Sequence, residues 1–131
     1  MTDDRAAGLN EFFGPRVPGL LGIVCDTCTA DEVVGHIDVS GPLIAGTGFL
    51  FAPAVVALAD TLAAAGTGEH VDFDANESFT TIELKCNFLG SAREGERVVG
   101  RRVPAHVGRS THVWDVTVTN ETTGRTIAEN L

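Results

Sequence analysis

A chain of 131 residues, 44% of them hydrophobic, is long enough for one domain with a sizeable core and too apolar for disorder. Its formal net charge of −9 excludes nucleic acid as the main partner, because phosphate binding needs a basic face, although a local basic cluster can still hold a small anion. No apolar run reaches the ~20 residues that span a bilayer, and the opening MTDDRAAGLNEFFGP lacks the order of a signal peptide, so a cytoplasmic protein with no membrane partner is expected.

In chain order, residues 1–18 read as a polar lead-in with a helical turn around Asn10–Phe13. Phe12 and Phe13 are expected to dock on the body, and Pro15, Pro18 and Gly19 to break any helix. Leu20–Thr29 and Val33–Val39 read as strands joined around Ala30–Glu32. The first contains Cys25 and Cys28. Three cysteines in such a chain argue against a disulfide framework, and no second pair completes a zinc site. Strand positions three apart face opposite sides, so these thiols, like Cys86, are read as packing groups. Ser40–Gly48 is a loop rich in Gly and Pro.

Pro53–Ala65 is the clearest helix. Proline opens it at no cost, alanine and leucine fill it, and Gly66 caps it. It is apolar on nearly every side, which predicts burial all round. Asp60 sits in its middle among Ala57, Leu58, Ala59, Leu62 and Ala63. A lone carboxylate there costs several kcal/mol unless paired or used, which makes Asp60 the first candidate for chemistry.

After a turn-rich stretch, 66–76, the run FTTIELKCNFL (79–89) alternates as a strand does. Ile82, Leu84, Cys86 and Phe88 share one face; Thr81, Glu83, Lys85 and Asn87 share the other. Gly90–Glu96 turns into Arg97–His106, then Ser110–Asn120, then Thr126–Leu131. Two strands, a buried helix and four meandering strands predict one α+β domain, 1–131, with a curved antiparallel sheet wrapped round a single helix.

Taken in order, ALAD (57–60), NFLGSAREG (87–95) and HVGRSTHVWDVTVTNETTGR (106–125) resemble the hotdog-fold acyl-CoA thioesterases of the phenylacetate-pathway, hydroxybenzoyl-CoA and dihydroxynaphthoyl-CoA type. The resemblance runs from about Leu20 to the end. It implies thioester hydrolysis of a small or medium acyl- or aryl-CoA in a homodimer or homotetramer with sites between subunits. Asp60 stands at the family's catalytic carboxylate, as nucleophile or general base. The family's usual His at the helix entrance is replaced by Phe51, and its polar amide falls near Ala45, with Thr47 as a substitute. The oxyanion donor is implied to be the backbone N–H of Ala52, since Pro53 has none. Thr81 matches a hydroxyl that positions the acid or water, with one chain giving Asp60 and the helix entrance and the other giving Thr81. Asn87, Phe88, Leu89 and Gly90 are implied to line the pantetheine tunnel. Gly108, Arg109, Ser110 and Thr111 are implied to hold the coenzyme A arm, with Arg101 and Arg102 as helpers or a solvated edge.

His36, His70, His106 and His112 have no metal-ligand spacing, so no metal and no cofactor are expected. Trp114 is read as a packing residue. No G-x-S-x-G, P-loop or dinucleotide fingerprint is present. Two alternatives stand beside the thioesterase. One is a non-catalytic hotdog protein that binds an acyl-CoA or other apolar ligand. The other is a hotdog hydroxyacyl-CoA dehydratase, against which counts the lack of any His between His36 and His70.

Overall fold

The computed structural model describes residues 4–130. Its elements are α1 (Ala6–Phe13), α2 (Val17–Leu20), β1 (Val24–Cys28), β2 (Val33–Asp38), α3 (Ala52–Gly68), β3 (Asn87–Phe88), β4 (Arg97–Val107), β5 (His112–Asn120) and β6 (Arg125–Asn130). The strands form one antiparallel sheet in the order β1-β2-β4-β5-β6-β3, and α3 packs on β2, β4 and β5. This is the α+β sheet-on-helix arrangement that the sequence predicts. Among the described residues no helix is long and apolar enough to cross a membrane.

One face of α3, with Ala54, Val55, Leu58, Ala59, Leu62 and Ala65, is buried on the sheet. Leu62 sits against Gly35 and Gly100, which oppose each other in the β2–β4 ladder; a Cβ on either would crowd its methyls. Missing side chains there let the helix approach the sheet closely. The other face, with Val56, Ala57, Asp60, Thr61, Ala63 and Ala64, is only half-buried. Burial all round is therefore corrected. Alanine makes both faces apolar, but the sheet covers one.

Gly66 does not end the helix, which runs on to Gly68. Gly66 is buried, and a Cβ there would overlap the guanidinium of Arg102. Arg102 is no solvated edge residue either: it is fully buried on β4, its guanidinium 3.9 Å from the centre of the Trp114 ring. Gly66→Ala is expected to lower stability by about 1–3 kcal/mol through overpacking. Gly68→Ala, where the same Cβ meets open space, is expected to raise it by about 0.5–1 kcal/mol. Urea unfolding of the two variants checks the pair; equal shifts would remove Arg102 as the cause.

The largest departure is the expected strand 79–89. Only Asn87–Phe88 joins the sheet, pairing with Ala128 and Glu129 of β6. From 79 to 86 the chain forms no regular element and makes no backbone hydrogen bonds among the described residues. Its alternation is real, yet Ile82 is 84% exposed. Of its apolar face only Cys86 packs against the core and Leu84 is half-buried, while Ile82 and Phe88 are left exposed.

At the N-terminal end the helix is longer than expected, and of the two phenylalanines Phe13 is buried and Phe12 exposed. Pro15 ends α1, but Pro18 sits in the first turn of α2, where a missing N–H costs nothing, and Gly19 lies within it, so neither breaks it. The last strand stops at Asn130 in the structure, and Leu131 lies outside the described residues.

Candidate active site

Asp60 lies on the half-buried face of α3, and its carboxylate is paired. The Thr81 hydroxyl donates a hydrogen bond to Asp60 Oδ1 at 2.9 Å. The sequence shows neither the pairing nor the exposure, because both depend on where 79–86 returns over the helix. The contact is made within one chain, so Thr81 need not come from a second copy. Thr80, its neighbour, lines the same groove.

That groove has a volume of about 950 Å³. Its floor is the helical face of Asp60, Ala63, Ala64 and Thr67, spaced as i, i+3, i+4 and i+7. Residues 77–85 form one wall. The other is the β4–β5 turn and the start of β5. Gly108, Arg109, Ser110 and Thr111 all line it, and the turn is closed by a bond from the Gly108 N–H to the Thr111 carbonyl, 2.9 Å. Arg109 has no partner among the described residues and is exposed. Lys85, the only lysine of the chain, lies on the opposite wall.

Sequence reasoning missed the far end of the groove. Thr67 Oγ1 accepts from Trp114 Nε1 at 2.7 Å and lies 3.3 Å from His112 Nδ1. His70 stacks on Trp114, ring centres 6.0 Å apart, and meets His112 edge-on at 5.4 Å. Burial, then the neighbouring His70, holds the His112 imidazole below its usual pKa, so the neutral ring is favoured there. Trp114 thus packs, as expected, and lines the groove as well. The available signal was helical: Thr67 follows Asp60 by two turns. The histidines are dispersed in sequence but gathered by the fold; no group of His, Cys, Asp or Glu that could hold a metal occurs among the described residues.

Two sets of expected residues lie elsewhere. Phe51 and Ala52 are exposed at the start of α3 and do not line the groove of their own chain. The Phe51 N–H bonds to the Leu43 carbonyl at 2.8 Å, and that of Ala54 to the Phe51 carbonyl at 2.9 Å. Pro53 has no N–H. The Ala52 N–H has no acceptor among the described residues, which leaves one free donor at the positive end of the helix. Asn87, Phe88, Leu89 and Gly90 run along β6, also outside the groove, with the Leu89 and Gly90 N–H groups both on the Ile127 carbonyl.

Residues 47–127 match the family described as the thioesterase superfamily. The esterase-like ComA2 of Bacillus subtilis is 33% identical over 77% of this chain and 79% of its own. A 1,4-dihydroxy-2-naphthoyl-CoA hydrolase of Listeria monocytogenes is 28% identical over 78% of this chain and 80% of its own. Among solved structures, a mutant thioesterase of Pseudomonas aeruginosa superposes with a TM-score of 0.88 at 25% identity, covering 98% of this chain and 91% of that one. A sheet of this order packed on one carboxylate-bearing helix, matched along most of its length, makes this chain a member of the thioesterase superfamily: a hotdog-fold thioester hydrolase.

Proposed function

We propose that the chain, working as a single domain, hydrolyses the thioester of a small or medium acyl- or aryl-CoA, with Asp60 as nucleophile or general base. The observation that carries this reading is the Asp60–Thr81 pair opening on a large groove with a basic turn at its side. A carboxylate held by one hydroxyl is oriented yet still has lone pairs to offer a carbonyl carbon or a water. Arg109 and Lys85 are cations on the walls of a groove in an otherwise acidic protein, and they suit the phosphates of coenzyme A. The coenzyme A thioester named for the Listeria relative agrees with that chemistry.

The helix supports a site shared by two copies. Ala52 and Asp60 are eight residues apart on α3, about 12 Å at 1.5 Å per residue. Attack needs the reacting atoms within about 3.5 Å. A carbonyl held at Ala52 is therefore out of reach of the same chain's Asp60. A second copy bringing its helix entrance, with Ala52 and Phe51, to this groove completes the site. The division of labour expected from the sequence changes accordingly: Asp60 and Thr81 act together from one chain, and the oxyanion donor comes from the other. The unpaired backbone of 79–86 and the exposed Ile82 supply an edge for such a partner. Phe51 then faces the substrate as an apolar group without a hydrogen bond to give. Asn87–Gly90 belong with the pantetheine arm only in that assembly. Free thiols at Cys25, Cys28 and Cys86 suit a reducing compartment such as the cytoplasm.

The test is release of free coenzyme A from a panel of alkyl- and aryl-CoA thioesters, followed with a thiol reagent against an enzyme-only blank, together with the solution mass. No thiol release from any member, or a strictly monomeric active enzyme, overturns the reading. Thr81→Ala is expected to cost about tenfold in kcat, because the hydroxyl positions the acid rather than reacting. An unchanged kcat in an intact assembly would remove Thr81 from the site.

A further inference from the structure

We propose that Thr67 is a positioning residue whose hydroxyl clasps the β4–β5 ribbon to α3 and so sets the Gly108–Thr111 turn for the coenzyme A arm. This rests on the reading of that turn as the place where the arm is held. The ribbon needs such a hold. The β2–β4 ladder ends at Val33 and Arg102, and the β5–β6 ladder at Val116 and Asn130 among the described residues. Residues 103–115 therefore run past the sheet with their two strands paired only to each other. A two-stranded ribbon by itself is marginally stable in water unless it packs on something, such as a helix. A bulge at Ala105 interrupts this one further. At its tip one backbone bond closes the turn, from the Gly108 N–H to the Thr111 carbonyl, and Arg109, Ser110 and Thr111 are exposed.

The hold comes from one hydroxyl. Side chains of β5 alternate, so His112 and Trp114 share the face turned to the helix. Both reach Thr67, in the last turn of α3. An indole N–H can only donate, so the 2.7 Å contact from Trp114 Nε1 takes a lone pair of Thr67 Oγ1 and leaves the hydroxyl proton free. His112 Nδ1, 3.3 Å away, is placed to accept it. The neutral imidazole that burial and then His70 favour has one acceptor nitrogen, which serves here when the proton sits on Nε2. His112 directly follows Thr111 in the chain, so this contact fixes the base of the turn. Trp114 is itself braced by the Arg102 guanidinium, 3.9 Å from its ring centre, and by His70, stacked at 6.0 Å. A turn held in place before its ligand arrives loses less freedom on binding. Asp60 lies seven residues up the helix from Thr67, about 10 Å at 1.5 Å per residue, so the clasp acts on binding of the arm and not on the reacting carbon.

The experiment offers one acyl group on coenzyme A and on N-acetylcysteamine, a short thiol without phosphates. It reads the ratio of the two kcat/KM values, beside the emission of Trp114, the only tryptophan of the chain. Thr67→Val is expected to cut the preference for coenzyme A about tenfold, mainly through KM, and to shift the emission. Thr67→Ser, which restores the hydroxyl, is expected to keep the parent's preference and emission. Valine leaves the buried indole N–H unpaired. If that variant does not fold, His112→Leu keeps the Trp114–Thr67 contact, frees the turn and is expected to lose the same preference. Arg109→Ala separates the clasp from the reading beneath it. If Arg109→Ala loses the preference while folded Thr67→Val or His112→Leu keeps it, the turn holds coenzyme A and the clasp is overturned. If Arg109→Ala keeps the preference, or the parent has none, the reading of the turn fails and the clasp with it. A serine variant as impaired as the valine one also overturns the proposal.

Discussion

Asp60→Asn is expected to lower kcat on every acyl-CoA substrate by at least about 100-fold, the usual range for losing a general base or nucleophile. Asparagine keeps the volume of the side chain, and its carbonyl oxygen can still accept from the Thr81 hydroxyl, so the contact at 2.9 Å has a successor. What disappears is the charge and the nucleophilic lone pair. KM should move little, since the acid holds no more of the substrate in the ground state than its amide does. Stability should stay within about 1 kcal/mol, because the position is half-buried and not in the core. Steady-state kinetics beside a urea melt separates the cases. A folded variant that turns over at the parent rate makes Asp60 structural and sinks the mechanism.

A mixed dimer carrying Asp60→Asn in one chain and Ala52→Pro in the other is expected to regain about half the parent activity per dimer, although each variant alone is nearly dead. Proline at 52 removes the free N–H and little else. Phe51 has φ −59° and ψ 118°, an extended conformation that the residue before a proline accepts, and α3 already tolerates Pro53 in its first turn. Losing one oxyanion donor costs on the order of 10²–10³ in kcat. In the mixed dimer one site has the intact Asp60 of the proline chain and the intact Ala52 of the asparagine chain, while the other site lacks both. Co-expression of two differently tagged chains and isolation of the doubly tagged species supplies the sample. Recovery would tie the acid of one copy to the helix entrance of the other. A mixed dimer as inactive as its parents would mean that each chain uses its own Ala52, against the 12 Å of helix between them.

Much of the fold was legible in the sequence because it rests on local pattern. Alternation in Arg97–His106 and Ser110–Asn120 marks strands that the sheet then buries on one face only. An alanine-rich run opened by proline marks α3, and a lone acid inside it marks Asp60 as a group with a use. These signals survive because helix and strand periods are set within a few residues of each other. The tertiary structure decided what depends on residues far apart. Gly66 reads as a helix cap, but it is small because Arg102, 36 positions later, lies against it. Residues 79–86 read as a paired strand, yet pairing needs a neighbour, and the end of β6 offers one for Asn87 and Phe88 alone. Cys25 and Cys28 read as facing apart, until one extra residue opposite β2 turns both inward. Asp60 reads as unpaired, because the hydroxyl that meets it arrives 21 residues later on a segment that crosses the helix. Sequence pattern determined which side chains each element can present. Which of them meet was settled by long-range packing, whose partners no local periodicity records.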